Sequence, residues 1–386
     1  MSAAVDTGAR THSRPVRVLH LRDSPWLDGP GRTILETAGR IDRALVDYHI
    51  GPLISNSGAI HPLVAAARER GVPVHPIEDR GELAALTARV LALIDELGIE
   101  VLHSSELRTN LVALQCRRHR PSLKLVSTMH GWITNDLRGK VKALVDRALL
   151  RRFDRVIAVS NATRRRVPRW WLPEKRVVVL HNCIATERFA RELCPAPPAH
   201  FAATQPVRLA NIGRLSPEKG QAMLLQALAT LRREFPRLRL SFVGTGPLES
   251  ELRGLSERLG VSDAVTFTGY VTDMSLVYDE TDLVVQSSFT EGLPNVIVEA
   301  AYVGLPIVAT DVGGTAEVIE HEVSGWLVRP RSLEDLVAGI RRFIEEPGRF
   351  AAMRARARSK VEKEFTFAVR TARQADLYRE LCPWQA

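Results

Sequence analysis

The feature that most constrains this chain is a repeated alternation: short β-branched runs separated by helix-length amphipathic stretches, first in one half and then again in the other. In the first half, residues 16–21, 48–54, 72–77, 99–103, 124–129, 155–159 and 177–180 read as strands. Helical patterns lie between them; Leu83, Leu86, Val90, Leu93, Ile94 and Leu97 recur at three- and four-residue steps on one face. The second alternation gives strands at 207–211, 238–243, 264–268, 283–286, 306–310 and 325–328. Its helices fall near 219–235, 247–260, 295–304 and 332–345, with an Arg-rich helical end over 347–381. Strands alternating with helices imply βαβ units and parallel sheets covered on both faces. Residues 183–206 interrupt the rhythm, being rich in Pro and Ala with no strand signal. The expected class is therefore α/β: two Rossmann-like doubly wound domains facing across a cleft. The expected boundaries are 1–190, a linker over 191–206, and 207–365. Ligands of such sheets bind at the carboxyl ends of the strands, so the cleft between the two domains is the natural site.

Composition narrows the class. With 386 residues, 45% hydrophobic and 25% charged, the chain is ordinary globular material for two or three domains, which excludes global disorder. The four cysteines, at 116, 183, 194 and 382, form no CxxC pair, so neither a disulfide scaffold nor a zinc ribbon is expected. No run approaches 18 apolar residues, and the first twenty residues carry no apolar leader core. A cytoplasmic location is the expectation. The charge is uneven. Residues 1–205 hold 31 Lys and Arg against 20 Asp and Glu, and residues 206–386 hold 22 against 24, which splits the net +9 into +11 and −2. An anionic partner for the first half follows: a membrane surface, a phosphorylated ligand or nucleic acid. Arginine-rich coding bias is the alternative.

The most informative stretch is 287–328. Glu291 and Glu299 are eight apart, Gly292 and Pro294 prepare a helix start, and Asn295 stands near its cap. That places Glu291 in the loop and Glu299 one turn inside the helix. The helix amides then form an anion site beside carboxylates suited to paired hydroxyl donors. The stretch resembles the signature of the family-4 retaining glycosyltransferases of the GT-B fold. The residues that carry the resemblance are Glu291-Gly292-Leu293, Glu299-Ala300, Gly304 to Ala309, Gly313-Gly314, Glu317-Val318 and Gly325 to Val328. Residues 211–220 resemble the family's G-R-L-x-x-x-K-G element, which assigns Arg214 and Lys219 to the donor diphosphate, with Gly213 beside them. Cations of these two kinds neutralise a leaving pyrophosphate.

Further landmarks follow from the same resemblance. Gly244 and Gly246 lie in a V-G-x-G-P turn near the nucleotide, and Tyr270 and Val271 in the loop against the base. Gly29 and Gly31 belong to a glycine loop after the first strand, with Pro30 a departure from the usual adjacent glycines. His130 matches the family's T-x-H at a strand end, against the donor sugar or acceptor. Cys183 and Ala185 depart from the N-G-[VI]-D pattern, and His103, Cys116 and Cys194 read as structural. The catalytic set implied is His130, Arg214, Lys219 and Glu291. The donor-binding set adds Gly29, Gly31, Gly213, Gly244, Gly246, Tyr270, Val271, Gly292, Leu293, Pro294, Asn295 and Glu299. A closing helix over 366–386 is expected to return to the first, acceptor-binding domain.

Resemblance thus implies a retaining, metal-independent hexosyltransferase with no cofactor and no metal ligands. Its donor would be a nucleotide-sugar, with Glu291-Gly-Leu-Pro-Asn295 closer to users of UDP-sugars than of GDP-mannose. The acceptor would be a glycan or a lipid-phosphate-linked sugar. Arginines and lysines from Arg117 to Arg169, with Leu137, Val141, Leu144, Val145, Ala148 and Leu149 on one helix face and Trp170-Trp171 nearby, suit the inner face of a membrane carrying anionic lipid. The alternatives are a catalytically silent nucleotide-sugar scaffold, a GT-B epimerase, and a nucleic-acid binder, although no nucleic-acid motif is present.

Overall fold

The computed structural model describes residues 14–55, 60–130, 137–189, 194–198, 200–201 and 205–383. The linker positions 191–193, 199 and 202–204 and the tail 384–386 lie outside them, as do the side chains of Leu137, Arg138 and Lys140. The first sheet comprises β1 (Val16–Arg22), β2 (Val46–Ile54), β3 (Ile77–Glu78), β4 (Val101–Ser104), β5 (Lys124–Met129), β6 (Arg155–Ala158) and β7 (Val177–Val179). Their spatial order is β3-β2-β1-β4-β5-β6-β7. Its helices are α1 (Gly29–Arg40), α2 (Pro62–Glu69), α3 (Leu83–Leu97), α4 (Leu107–His119), α5 (Leu137–Leu150) and α6 (Asn161–Arg165).

The second sheet comprises β8 (Val207–Ile212), β9 (Leu238–Val243), β10 (Val265–Gly269), β11 (Leu283–Gln286), β12 (Ile307–Thr310) and β13 (Trp326–Val328), ordered β10-β9-β8-β11-β12-β13. Around it lie α7 (Gln221–Leu231), α8 (Glu249–Arg258), α9 (Met274–Asp279), α10 (Asn295–Val303), α11 (Thr315–Val318), α12 (Leu333–Glu345) and α13 (Pro347–Glu364). The last helix is α14 (Phe367–Leu381).

Every ladder in both sheets is parallel. Parallel strands joined by crossover helices are covered on both faces, which explains why β11 and β12 are largely apolar and why β1 and β4 are buried almost throughout although they carry His20, Arg22, His103 and Ser104. The strand order reverses between β1 and β4 and again between β8 and β11. Each reversal opens a crevice beyond the carboxyl ends of those strands.

Two local differences from the sequence expectation have physical causes. The strand expected over 72–77 is reduced to Ile77–Glu78 plus a single bridge from Val74 to Ile50, because Pro73 and Pro76 have no amide to donate to a ladder. The glycine loop expected at Gly29 and Gly31 is the first turn of α1. Asp28 caps it, its Oδ1 accepting from the Gly31 amide at 3.0 Å, and Pro30 takes an early position where no amide is needed. The Arg-rich helical end is divided at Phe365, where Thr366 caps the separate closing helix, α14.

That break lets α14 cross to the first sheet. Ala375, Leu377, Tyr378 and Leu381 enter the cluster that holds Val18, Ile34, Tyr48 and Ile50. Each fully buried side chain of this size contributes about 1.5–3 kcal/mol. The buried Arg370 donates to the carbonyls of Leu180 (2.8 Å) and His181 (2.6 Å). Beneath it His20 stacks on His103, centroids 3.8 Å apart. Hydrogen bonds to Tyr48 and Ser105 hold His20, and bonds to Tyr378 and Thr128 hold His103. Burial, before any neighbouring charge, pushes both imidazoles toward the neutral form, His103 down to about 3.

Candidate active site

The two crevices face each other, and the residues after β1, β5 and β6 meet those after β8, β11 and β12. Close backbone approach makes this possible. A Cβ on Gly292 would lie 2.3 Å from the His130 carbonyl oxygen, and one on Gly313 would lie 2.2 Å from that of Glu291, where φ is also +57°. The Gly292 carbonyl accepts from the Gly314 amide (2.7 Å) and from Ser160 Oγ (3.0 Å) across the gap.

A hollow of about 280 Å³ lies at this junction, walled by Gly29, Pro30, His130, Gly213, Lys219, Ser288 and 291–295. Lys219 Nζ donates to Glu291 Oε1 at 2.7 Å, and Ser288 Oγ donates to the same oxygen at 2.6 Å. The N-termini of α1 and α10 border the same space, since the nearest atom to a Cβ on Gly29 is Asn295 Nδ2. Two helix N-termini and an ammonium make the hollow attractive to an anion. His130 contributes a neutral ring: burial, then Arg22, Arg370 and His103, depress its pKa. Both ring nitrogens are buried, and neither meets a hydrogen-bond partner among the described residues.

A second hollow of about 480 Å³ adjoins through Asn295. It is lined by Arg32, Glu36, Cys183, Thr272 to Ser275 and Glu299. The buried Tyr278 hydroxyl donates to Glu299 Oε2 at 2.6 Å and orients that carboxylate. Taken together, the hollows suit a ligand with a central anion flanked by hydroxyl-bearing groups, one toward Glu291 and one toward Glu299.

The other residues singled out from the sequence fall into different places. Arg214 is exposed; its carbonyl accepts from Gln221. Gly244 and Gly246 are packing positions, where a Cβ would lie 2.2 Å from the carbonyl oxygens of Gly213 and Leu215 respectively. They buttress the turn that carries Gly213 and do not line either hollow. The amide of Gly31 is taken by Asp28. Tyr270 is exposed and accepts from Arg32 across the cleft, with Val271 beside it. Leu293 is buried and its carbonyl accepts from Asn182 (3.2 Å). Pro294 is the cap residue of α10, so Asn295 is its first helical residue.

Sequence reasoning overlooked Ser288, Tyr278 and the role of Glu317. Glu317, on α11, accepts from the Asn161 amide (2.8 Å), Asn161 Nδ2 (2.9 Å), the Ala162 amide (2.8 Å) and His181 Nε2 (2.9 Å), all in the first half of the chain. Burial alone would raise this carboxyl, but these hydrogen bonds outweigh it and hold it at about 2, against an ordinary 4.5. A depressed carboxyl stabilises the folded state above its unfolded pKa and loses that contribution as pH falls toward the folded one. Glu317→Gln is therefore expected to cost on the order of 2–3 kcal/mol at pH 7. The deficit should shrink by more than half by pH 3. Urea unfolding across a pH series measures it, and an equal deficit at both pH values would contradict the assignment.

Two family models match the chain in succession: one described as glycosyltransferase family 4 over residues 27–188, and one described as glycosyl transferases group 1 over 197–362. An uncharacterized glycosyltransferase of Haemophilus influenzae is 33% identical over 149 residues, 38% of this chain and 42% of that protein. A putative colanic acid biosynthesis glycosyltransferase of Escherichia coli is 28% identical, covering 60% and 58%. A GDP-mannose-dependent alpha-(1-6)-phosphatidylinositol monomannoside mannosyltransferase of Mycobacterium tuberculosis is 31% identical, covering 61% and 65%. The matches thus span between two fifths and two thirds of those relatives. Among solved structures, Anabaena HepE in complex with UDP-glucose superposes with a TM-score of 0.80 at 22% identity, covering 94% of this chain and 99% of that one. Sucrose-phosphate synthase of Thermosynechococcus elongatus superposes at 0.73 and 19%, covering 95% and 99%. These likenesses establish the fold as GT-B.

Proposed function

The chain belongs to the family-4, group 1 glycosyltransferases, and from that premise we propose that it moves a hexosyl or N-acetylhexosaminyl group from a nucleotide-sugar to a hydroxyl of a glycan or lipid-linked acceptor, in cell-surface polysaccharide or glycoconjugate synthesis. The observation that carries this is the convergence of Lys219, Glu291 and the N-termini of α1 and α10 on one hollow, with Glu299 in the next. The donor diphosphate lies against Lys219 and the α10 amides, with Arg214 reaching it from the rim. The ribose diol lies on Glu299 and the sugar hydroxyls on Glu291.

Neither carboxylate stands as a nucleophile on this assignment, so transfer proceeds by front-face return with retention. The bond from the anomeric carbon to the diphosphate oxygen breaks, and the cations and amides hold the charge that develops there. The acceptor hydroxyl attacks from the same face and gives its proton to a departing phosphate oxygen. His130, neutral and buried, accepts or donates one hydrogen bond to the sugar or acceptor. Proton NMR of the first-formed product tests this: the donor's anomeric configuration is expected, and an inverted product would overturn the mechanism.

The donor is read as a UDP-sugar from Glu291-Gly-Leu-Pro-Asn295; likeness to a GDP-mannose-dependent enzyme keeps GDP-mannose as the second reading. With Lys219, Arg214 and helix amides supplying the positive charge, transfer is expected to retain at least about half its rate in EDTA, an effect under twofold where an electrophilic catalyst contributes 10²-fold or more. Abolition by EDTA with restoration by Mg²⁺ would contradict metal independence. A peripheral position on the inner face of a membrane is part of the proposal. Val141, Leu144 and Val145 are exposed on α5, and Trp170 is 78% exposed nearby.

A further inference from the structure

A larger hollow, about 610 Å³, opens at the opposite end of the first sheet. Its wall begins with Lys124 and Arg155, the first residues of β5 and β6, and with Arg176 just before β7. These are amino ends of strands, whereas the cleft lies beyond their carboxyl ends. At about 3.3 Å per residue, β5 alone separates the two by roughly 20 Å. Arg117 and Arg118 arrive from the last turn of α4, and Arg151 and Arg152 from the chain just past α5. Asp154 is the one carboxylate in the lining.

Part of this charge has a local use. Arg117 pairs with Asp154 at 2.6 Å and donates to the Arg152 carbonyl. Arg176 donates to the Arg151 carbonyl, just past the end of α5, at 2.9 Å, and Arg155 donates to the Asp154 carbonyl at 3.1 Å and lies 3.8 Å from Glu380. The rest is not consumed this way. Arg118 meets the neutral amide of Gln115, Arg151 lies 5.1 Å over the Trp171 ring, and among the described residues neither Lys124 nor Arg152 forms an ion pair. Four cations lining one concave surface, whose single carboxylate is paired to Arg117, raise its potential and favour a multivalent anion.

We infer that this basin binds a phosphate-bearing group, separately from the donor in the cleft. The planar forks of several arginines match phosphate oxygens, and the volume accommodates a pyrophosphate-sized group. A lipid headgroup and a free polyphosphate present the same chemistry; the exposed apolar residues of α5, the helix that Arg151 and Arg152 follow, offer contact to the lipid source alone.

The test is a calorimetric titration with inorganic pyrophosphate of four full-length proteins: wild type, the basin variant Arg118→Glu/Arg151→Glu/Arg152→Glu, the charge-preserving variant Arg151→Lys/Arg152→Lys, and the cleft variant Lys219→Ala. The expected result is a binding event that survives in Lys219→Ala and weakens at least tenfold in the basin variant, with Arg151→Lys/Arg152→Lys retaining it. Equal binding by the wild-type and basin variants would overturn the inference, and unchanged thermal unfolding of the basin variant separates loss of the site from loss of the fold. Flotation on phosphatidylglycerol and on phosphatidylcholine vesicles then identifies the source. Anionic-only flotation lost in the basin variant supports a headgroup. Flotation indifferent to the variant, with pyrophosphate binding lost, supports a free ligand.

Discussion

Lys219→Ala is expected to lower kcat/KM for transfer by about 10²–10³-fold, the effect of removing one preorganised donor from a developing oxyanion. Lys219 is the cation that lines the inner hollow, 2.7 Å from Glu291 and next to the α10 N-terminus. Its removal withdraws charge from the leaving diphosphate and leaves the Glu291 carboxylate, 11% exposed, with Ser288 as its hydrogen-bond partner among the described residues. The second consequence costs stability, about 1–3 kcal/mol. Lys219→Arg keeps a positive charge near Glu291 and is expected to recover stability before activity, because a planar fork does not reproduce a point charge between a carboxylate and a phosphate. Steady-state transfer together with thermal unfolding separates the two effects. Turnover within about twofold of wild type would remove Lys219 from the phosphate site.

Glu299→Ala is expected to cost on the order of 2–4 kcal/mol of transition-state stabilisation, through lost hydrogen bonds to the ribose hydroxyls. The Tyr278 hydroxyl holds this carboxylate at 2.6 Å, in the second hollow rather than the one around Lys219. The expected signature is a coupling between protein and substrate. Wild type should lose most of its efficiency with a 2′-deoxyribose donor, whereas Glu299→Ala should be nearly indifferent to it. Glu299→Gln, which retains an acceptor for Tyr278, should fold normally and lose a smaller part of the rate. Equal penalties for the deoxy donor in wild type and Glu299→Ala would place the ribose elsewhere.

Much of this architecture was legible in the sequence because its period is strong. Buried parallel strands such as β11 and β12 have no polar face to interrupt their apolar runs, so their positions could be read within a residue or two. Where prolines broke a β-branched run, as at Pro73 and Pro76, composition indicated a strand that the backbone could not complete. The site was legible only where a motif kept its members close in the chain. Lys219 and Glu291 were each marked by local context, but their ion pair joins residues 72 positions apart. Tyr278 was not singled out, because nothing near it in the chain points to Glu299, 21 positions further on. Glu317 stood out only as a member of the family motif, which does not show its partners; these are at Asn161, Ala162 and His181, in the other half of the molecule. Glycines gave the opposite problem. Gly244 and Gly246 drew attention as nucleotide contacts, and the structure uses them to let β9 and its turn approach residues 213–215.

The central claim is that one nucleotide-sugar occupies both adjoining hollows, with its phosphates at Lys219 and its ribose at Glu299. A thermal-shift panel of UDP-, GDP- and ADP-sugars on wild type, Lys219→Ala and Glu299→Ala tests it most directly. One nucleotide series should stabilise wild type saturably, by about 2.7 kcal/mol at a hundredfold excess over Kd, and the shift should be largely lost in both variants. A panel in which no nucleotide-sugar stabilises the protein, or in which both variants respond as wild type does, would contradict the account.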